Sequence, residues 1–387
     1  MEGFVKQKVG RTVEQVAQGY LNELANKNLI LVARSKDDGS IKSFRIHDFL
    51  REMLLSKSRD QSFLMIVNEQ TNECINKVRR LSIHGSWANF NPQRCVEYSY
   101  LPFDFVVGFK PPIGMGVLTS LYKLCFIEAT PGIITELGKM KELRRLCILK
   151  LRREDGKDFC SSIGKLKNLQ VLNISATAEN EILDLDHLSS PPASLQRLYM
   201  SGRLENVPHW IKSLNNLVNV NFRWSQLRDD PLEYLQDLPN LVHLDLLMGY
   251  VGEELCFKAR KFQRLKLLDL DKVEPLKQVI IEEGAMPNLE KIIIQRCTFL
   301  ESVPSGIERL TNIQVLEFFD MPQEFVHKLL PDTLDGDYHK VAHIPQVYYT
   351  YWRDGAWEAH PLETKDEIGI SSRPRTSIRC YDQRNSL

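Results

Sequence analysis

The chain has 387 residues, 43% of them hydrophobic, which is enough apolar material for a sizeable core and two structural units and excludes a disordered tail. Its 50 lysines and arginines balance 50 aspartates and glutamates, so no overall field draws it to nucleic acid or an acidic membrane. The first residues lack the apolar stretch of a secretory signal, no later run is long enough to span a bilayer, and eight cysteines lie scattered without a CxxC pair; this pattern fits a soluble, cytoplasmic protein with reduced thiols and no metal site.

The first element in chain order is a helix over residues 12–27. Thr12 and Gln15 match a capping box, and Val13, Val16, Ala17, Tyr20, Leu21 and Leu24 make one apolar stripe. Two strands follow, Leu29 to Ala33 and Ile41 to Ile46, on either side of the turn signal Asp37-Asp38-Gly39. A second helix is expected from His47-Asp48, with Phe49, Leu50, Met53 and Leu54 on its buried side. On the residues alone, Asp48 is an acid at a helix N-terminus, favoured by the helix dipole.

From Leu121 onward the chain is periodic. The pattern apolar-x-x-apolar-x-apolar starts at Leu121, Leu143, Leu169, Leu195, Leu217, Leu241, Leu265, Leu289 and Ile313, at spacings of 22, 26, 26, 22, 24, 24, 24 and 24 residues. These spacings are those of a leucine-rich repeat. Apolar ladders at three-residue steps, such as Pro208, Ile211, Leu214, Leu217 and Pro304, Ile307, Leu310, Ile313, predict a short 3₁₀ return on the other side of each coil. An earlier stretch, 78–83, has the same form and is taken as the first repeat, with a degenerate coil near residues 95–105. The aromatic residues of 338–363 are expected to cover the last coil, and the final residues to form a frayed tail. The fold class is therefore α/β: a solenoid over 68–337, preceded by a small module over 1–67 and followed by a cap and tail over 338–387.

Alternation along a strand sends the second and third apolar residues of each repeat inward and the three flanking positions outward onto one concave face. The outward set includes Arg145, Arg197, Tyr199 and Arg223, then His243, Asp245, Asp269, Asp271 and Glu317. The face should thus be basic in its first part and mostly acidic later, with Ile127 outward and a change at Asp245 staying within about 0.5 kcal/mol. Cys125 and Cys147 take the same outward column in consecutive coils. This face is the candidate protein-binding site; no nucleophile motif or metal-ligand set suggests catalysis.

The order helix, strand, turn, strand, helix at the N-terminus resembles the end of a winged-helix domain. With Glu2-Gly3-Phe4-Val5, Tyr20-Leu21-Asn22-Glu23-Leu24, Ile46-His47-Asp48-Phe49-Leu50-Arg51-Glu52 and Val341-Ala342-His343-Ile344-Pro345, the whole resembles the C-terminal part of plant intracellular immune receptors of the coiled-coil nucleotide-binding leucine-rich-repeat class. The resemblance implies a part that recognises a pathogen effector or a guarded host protein and restrains a nucleotide switch. It further implies that His47 and Asp48, in a motif with Ile46 where the family has methionine, would contact ADP. No GxxxxGK[ST] loop exists in the chain, so no cofactor is expected unless a separate nucleotide-binding domain completes the site. Met1 directly before Glu2-Gly3-Phe4 suggests truncation. The alternatives are a leucine-rich-repeat adaptor recruiting protein substrates, and a winged-helix DNA-binding protein; the second lacks a basic recognition helix, since Glu14 and Glu23 stand against Lys27.

Overall fold

The computed structural model describes residues 13–35, 41–46, most of 50–57, 65–67, 81–83 and, except for positions 112, 113, 332, 335, 354 and 355, residues 108–362. The chain divides into two compact units, Met1–Glu73 with Val78–Ser86, and Cys74–Lys77 with Trp87–Leu387.

In the first unit, α1 (Val13–Asn26) ends where Asn28 turns left-handed at φ 54° and the Leu29 N–H reaches the Leu24 carbonyl at 3.0 Å, the bond of a Schellman stop. β1 (Ile30–Ser35) and β2 (Ile41–Ile46) pair antiparallel, from Ile30 opposite Ile46 to Ser35 opposite Ile41. The turn between them, Thr12 of the capping box, and His47, Asp48 and Phe49 lie outside the described residues. The apolar stripe is only partly covered: Val16 is buried, but Tyr20 and Leu24 are exposed. Leu50, Met53 and Leu54 are helical as expected, yet Met53 and Leu54 are exposed and not on a buried side. A unit this small cannot cover every apolar side chain it carries. β3 (Met65–Val67) and β4 (Leu81–Ile83) pair in parallel, and the latter, the strand expected of a first repeat, groups with this unit. The coil expected near 95–105 lies outside the described residues.

The second unit continues with β5 (Lys123–Glu128), β6 (Arg145–Leu151), β7 (Val171–Ala176), β8 (Arg197–Ser201), β9 (Asn219–Arg223), β10 (His243–Leu247), β11 (Glu254–Phe257), β12 (Leu267–Asp271), β13 (Gln278–Ile281), β14 (Lys291–Gln295) and β15 (Val315–Phe319). β11 and β13 pair with each other in a separate sheet, while the other nine are successive neighbours in one parallel sheet and fall on the nine repeat positions. The strands stand in register because each coil repeats the same inward pair. Leu198, Val220, Leu244, Leu268, Ile292 and Leu316 form one buried row, and Met200, Phe222, Leu246, Leu270, Ile294 and Phe318 the next. Burying such a side chain contributes about 1.5–3 kcal/mol, and only the adjacent coils supply the cover.

The three-residue ladders become 3₁₀ turns at His209–Ser213 and Ile307–Arg309, with Ile211, Leu214, Ile307 and Leu310 buried. Several strands end on a left-handed residue that turns the chain out of the sheet: Trp224, Met248, Lys272, Arg296 and Asp320, with φ between 47° and 53°. After β8 the same place is held by Gly202 at φ 143°, where a Cβ would lie 2.6 Å from that of Ala176. A spine of asparagines, each just before the first apolar residue of its repeat, ties coil to coil: Asn168, Asn216, Asn240, Asn288 and Asn312 donate from Nδ2 to the carbonyls of Lys141, Ala193, Asn215, Gln263 and Pro287 at 2.7–3.2 Å.

Three departures from strict periodicity shape the ends. In β5 the register slips after Leu124, around Phe126 at φ 59°, so that Ile127 pairs with Ile148 and is fully buried instead of facing outward; Glu128 takes the outward place opposite Leu149. A second slip, with Lys150 at φ 58°, separates Ile148 from Leu151 along β6. An extra residue in one strand turns all that follow it to the other face. Beyond Ile313 the pattern continues: β16 (Gln346–Arg353) adds a parallel strand with Val347 beside Leu316 and Tyr349 beside Phe318. β17 (Ala356–Pro361) then folds back antiparallel, completing an 11-stranded sheet. Of the aromatic residues in this segment, Tyr348, Tyr349, Tyr351, Trp352 and Trp357 lie on these two strands and extend the sheet beside the last coil, while Tyr338 is helical.

Candidate protein-binding face

The outward columns divide at β9. On the β5–β8 side, Arg145 and Tyr199 are half-buried and Arg197 is exposed, and they line an open hollow with Asn173, Cys125 and Cys147. The hollow lies over Val171, a small side chain on β7 between the two arginine-bearing strands. Among the described residues, neither arginine has a carboxylate partner within ion-pair distance, and the side chains of Asn173 and Tyr199 make no hydrogen bond. Burial raises the Tyr199 phenol above its ordinary pKa, offset by the charges of Arg197 and Arg145, so it remains a proton donor. The site is rich in donors and poor in acceptors, which suits an anionic or carbonyl-rich partner surface.

From β9 onward the outward acids are largely buried and each has a polar partner within the protein, while the buried Arg223 Nη1 makes no hydrogen bond among the described residues. The Arg223 guanidinium donates to Asp245 Oδ2 at 2.8 Å and to Asn221 Oδ1 at 2.6 Å, and the Asn221 amide donates to the same Asp245 oxygen; Arg223 and Asp245 are each 2% exposed. Asp271 accepts both forks of Arg296, the Nε at 2.8 Å. Glu317 pairs with Lys291 at 2.7 Å. Asp269 has only the neutral Gln295 amide, at 3.0 Å. Burial, reinforced by the neighbouring Asp245 charge, holds its carboxyl well above the usual carboxylate range; Asp271 is raised by burial against the opposing pull of Arg296. His243 receives the Asn219 amide at Nδ1, 2.8 Å away, and burial lowers its pKa, so the ring is neutral.

Arg223, expected on the solvated basic part of the face, and Asp245, Asp269, Asp271 and Glu317, expected on its solvated acidic part, are therefore all buried. Parallel strands stand about 4.8 Å apart, so side chains that project from the same column of adjacent strands cover one another, and polar groups of opposite character close the remaining gaps. Removing one partner of a buried ion pair costs about 3–5 kcal/mol, which replaces the small effect expected at Asp245. Strand periodicity identifies the column but says nothing of what the next coil places beside it. The partner that settles Asp271, Arg296, stands just outside the alternating positions, at a left-handed turn.

These features define a leucine-rich-repeat solenoid with a charged sheet face. The family model described as a leucine-rich repeat region matches residues 100–318, and the chain belongs to that family. The model of the disease resistance protein winged helix domain matches residues 1–54. Among curated proteins of Arabidopsis thaliana, the chain is 34% identical over 252 residues to disease resistance protein RPM1, covering 65% of this chain and 27% of that protein. It is 23% identical over 456 aligned positions to disease resistance protein RPH8A, covering 88% and 50%. The chain thus spans half or less of the length of these relatives. Of solved structures, an internalin from Listeria monocytogenes matches at 13% identity and a TM-score of 0.41, over 79% of this chain and 84% of that one. Among the described residues no helix is long and apolar enough to cross a membrane, and no group of three or more His, Cys, Asp or Glu is placed to hold a metal ion.

Proposed function

We propose that the chain is the protein-binding and regulatory part of a plant disease resistance receptor acting in the cytoplasm, binding protein partners without catalysing a reaction. The module over 1–67 and the solenoid over 68–337 would restrain a nucleotide switch carried by a separate nucleotide-binding domain, and the solenoid would also recognise a pathogen effector or a guarded host protein. The observation that carries this reading is that Arg145 and Arg197, which have no carboxylate within ion-pair distance among the described residues, stand around an open hollow, whereas Arg223, Lys291 and Arg296 are each paired with an acid of the sheet. Similarity to disease resistance proteins over most of the chain supports the setting. Any ADP would be held mainly by the separate domain, with His47 and Asp48 approaching it as the family motif implies. Arg223, buried against Asp245, belongs to the scaffold and not to the contact.

Co-precipitation with a nucleotide-binding half supplied in trans tests the restraint. Arg145→Glu with Arg197→Glu should weaken association and flatten its dependence on salt, because exposed charges act together through a screened field. Unchanged binding and salt dependence with the fold intact would remove this face from the restraint.

A further inference from the structure

We propose that Cys125 and Cys147 form an oxidisable dithiol, in which a peroxide entering the concave hollow links the two thiols and ties β5 to β6. Both cysteines line that hollow, together with Arg145 and Arg197. Their strands run parallel and pair at Leu124 opposite Leu146, the residues immediately before the two cysteines. At Leu124 and Leu146, the last regular pair, neighbouring strands lie about 4.8 Å apart, inside the roughly 4.4–6.8 Å between Cα atoms that a disulfide spans, and beyond it Cys125 packs against the cluster that holds Cys147. In a regular parallel ladder the two Cβ directions run alongside each other and oppose the disulfide torsion. Here the slip after Leu124 takes Cys125 out of the regular ladder, so that constraint is lifted at this pair.

The surroundings favour reaction. Two guanidiniums without carboxylate partners favour the anionic sulfur that attacks a peroxide, and Cys125 is half-buried at an open site. Phe126 and Leu149 pack around the thiols and keep bulk water from one side. Other described cysteines are poorly placed. Burial pushes Cys160 and Cys297 up to about 12, each with its thiol near a backbone carbonyl, and Cys256 is raised by burial and lies 3.5 Å from Glu282.

The chemistry takes two steps. Cys125 sulfur attacks one peroxide oxygen, forming an S–O bond as the O–O bond breaks, and the departing hydroxide takes a proton to become water. Cys147 sulfur then attacks the sulfenic sulfur, forming S–S as the S–O bond breaks, and the second hydroxide leaves with the Cys147 proton as water. Two thiols lose two electrons and one peroxide is reduced to two waters.

The test uses the full chain with limiting hydrogen peroxide, followed by non-reducing tryptic mapping. Trypsin separates the cysteines onto residues 124–139 and 146–150, so a linked pair is unambiguous. That pair should form before any other disulfide, and Arg145→Gln with Arg197→Gln should slow its formation several-fold while circular dichroism is unchanged. In Cys147→Ser, a dimedone adduct should accumulate at Cys125 without a cross-link. The proposal is overturned if another pair links first, if Cys125 stays as a trappable sulfenic acid beside an unreacted Cys147 in the unsubstituted chain, or if the arginine changes leave the rate unaltered.

Discussion

Among the described residues, the concave columns over β5 to β8 leave Arg145 and Arg197 without a carboxylate, whereas from β9 to β15 an arginine, a lysine or an amide answers each acid within the sheet. The same strand pattern therefore builds two different surfaces. In the first, charge is available to a partner; in the second it stabilises the stack and is withdrawn from recognition. The difference lies in the neighbouring coil, since Arg197 looks across to Asn219, but Arg223 looks across to a strand carrying Asp245.

The largest effect that can break this comparison is at the buried pair. Arg223→Ala or Asp245→Ala should lose about 3–5 kcal/mol in urea unfolding, while Arg145→Ala stays within about 0.5. Equal effects would show that the two halves do not differ. Next comes the apolar row behind the same strand: Leu244→Ala should cost about 2–5 kcal/mol through the cavity it leaves. Replacing the whole pair, Arg223→Met with Asp245→Leu, should restore most of what either alanine removes, because the residual cost is an unanswered buried charge.

A smaller effect distinguishes Asp269. Its raised pKa means that the folded chain binds more protons than the unfolded chain above the ordinary carboxylate range. Its contribution to stability is thus full below that range and is lost as pH rises through the folded-state value. Thermal unfolding across pH 4 to 8 should show this downward trend, and Asp269→Asn should flatten it and raise Tm at neutral pH. A variant whose profile matches the unsubstituted chain would mean that another group holds the proton. Of the destabilising changes the smallest is at the asparagine spine, where Asn288→Ala should cost about 1 kcal/mol, the net worth of one inter-coil hydrogen bond, in the same denaturant series.

How far this contrast could be read from sequence follows from what repeats. The nine strands and the 3₁₀ returns were legible because a leucine or its equivalent must recur wherever coils stack. The tenth parallel strand shares the pattern in Ile344-x-x-Val347-x-Tyr349, but it starts 31 residues after Ile313 and ends on an aromatic, so the period hid it. The asparagine spine was there to be counted, one residue before the first apolar position. The slips at Phe126 and Lys150 left no mark, since ordinary side chains occupy those left-handed turns. Burial of Asp245, Asp269 and Asp271 was illegible for a different reason: an acid on an alternating position looks the same whether the adjacent strand brings solvent, an arginine or another acid. His47 and Asp48, legible as a family motif, fall outside the described residues.

The fold-back of β17 on β16 has a consequence for assembly. A stack of parallel strands is an open polymer, able in principle to accept another strand of the same direction at its last rung. Here the last rung runs the opposite way, from Arg353 beside Ala356 to Tyr348 beside Pro361. A further repeat, or the leading strand of a second copy running in the direction of the stack, would therefore have to pair with it antiparallel, in a hydrogen-bond pattern different from the one on which the coils repeat. The hairpin thus breaks the parallel repeat at this end of the sheet. A chain lacking 346–361 would expose the β15 edge, in the direction of a growing stack, and sedimentation should then find end-to-end oligomers.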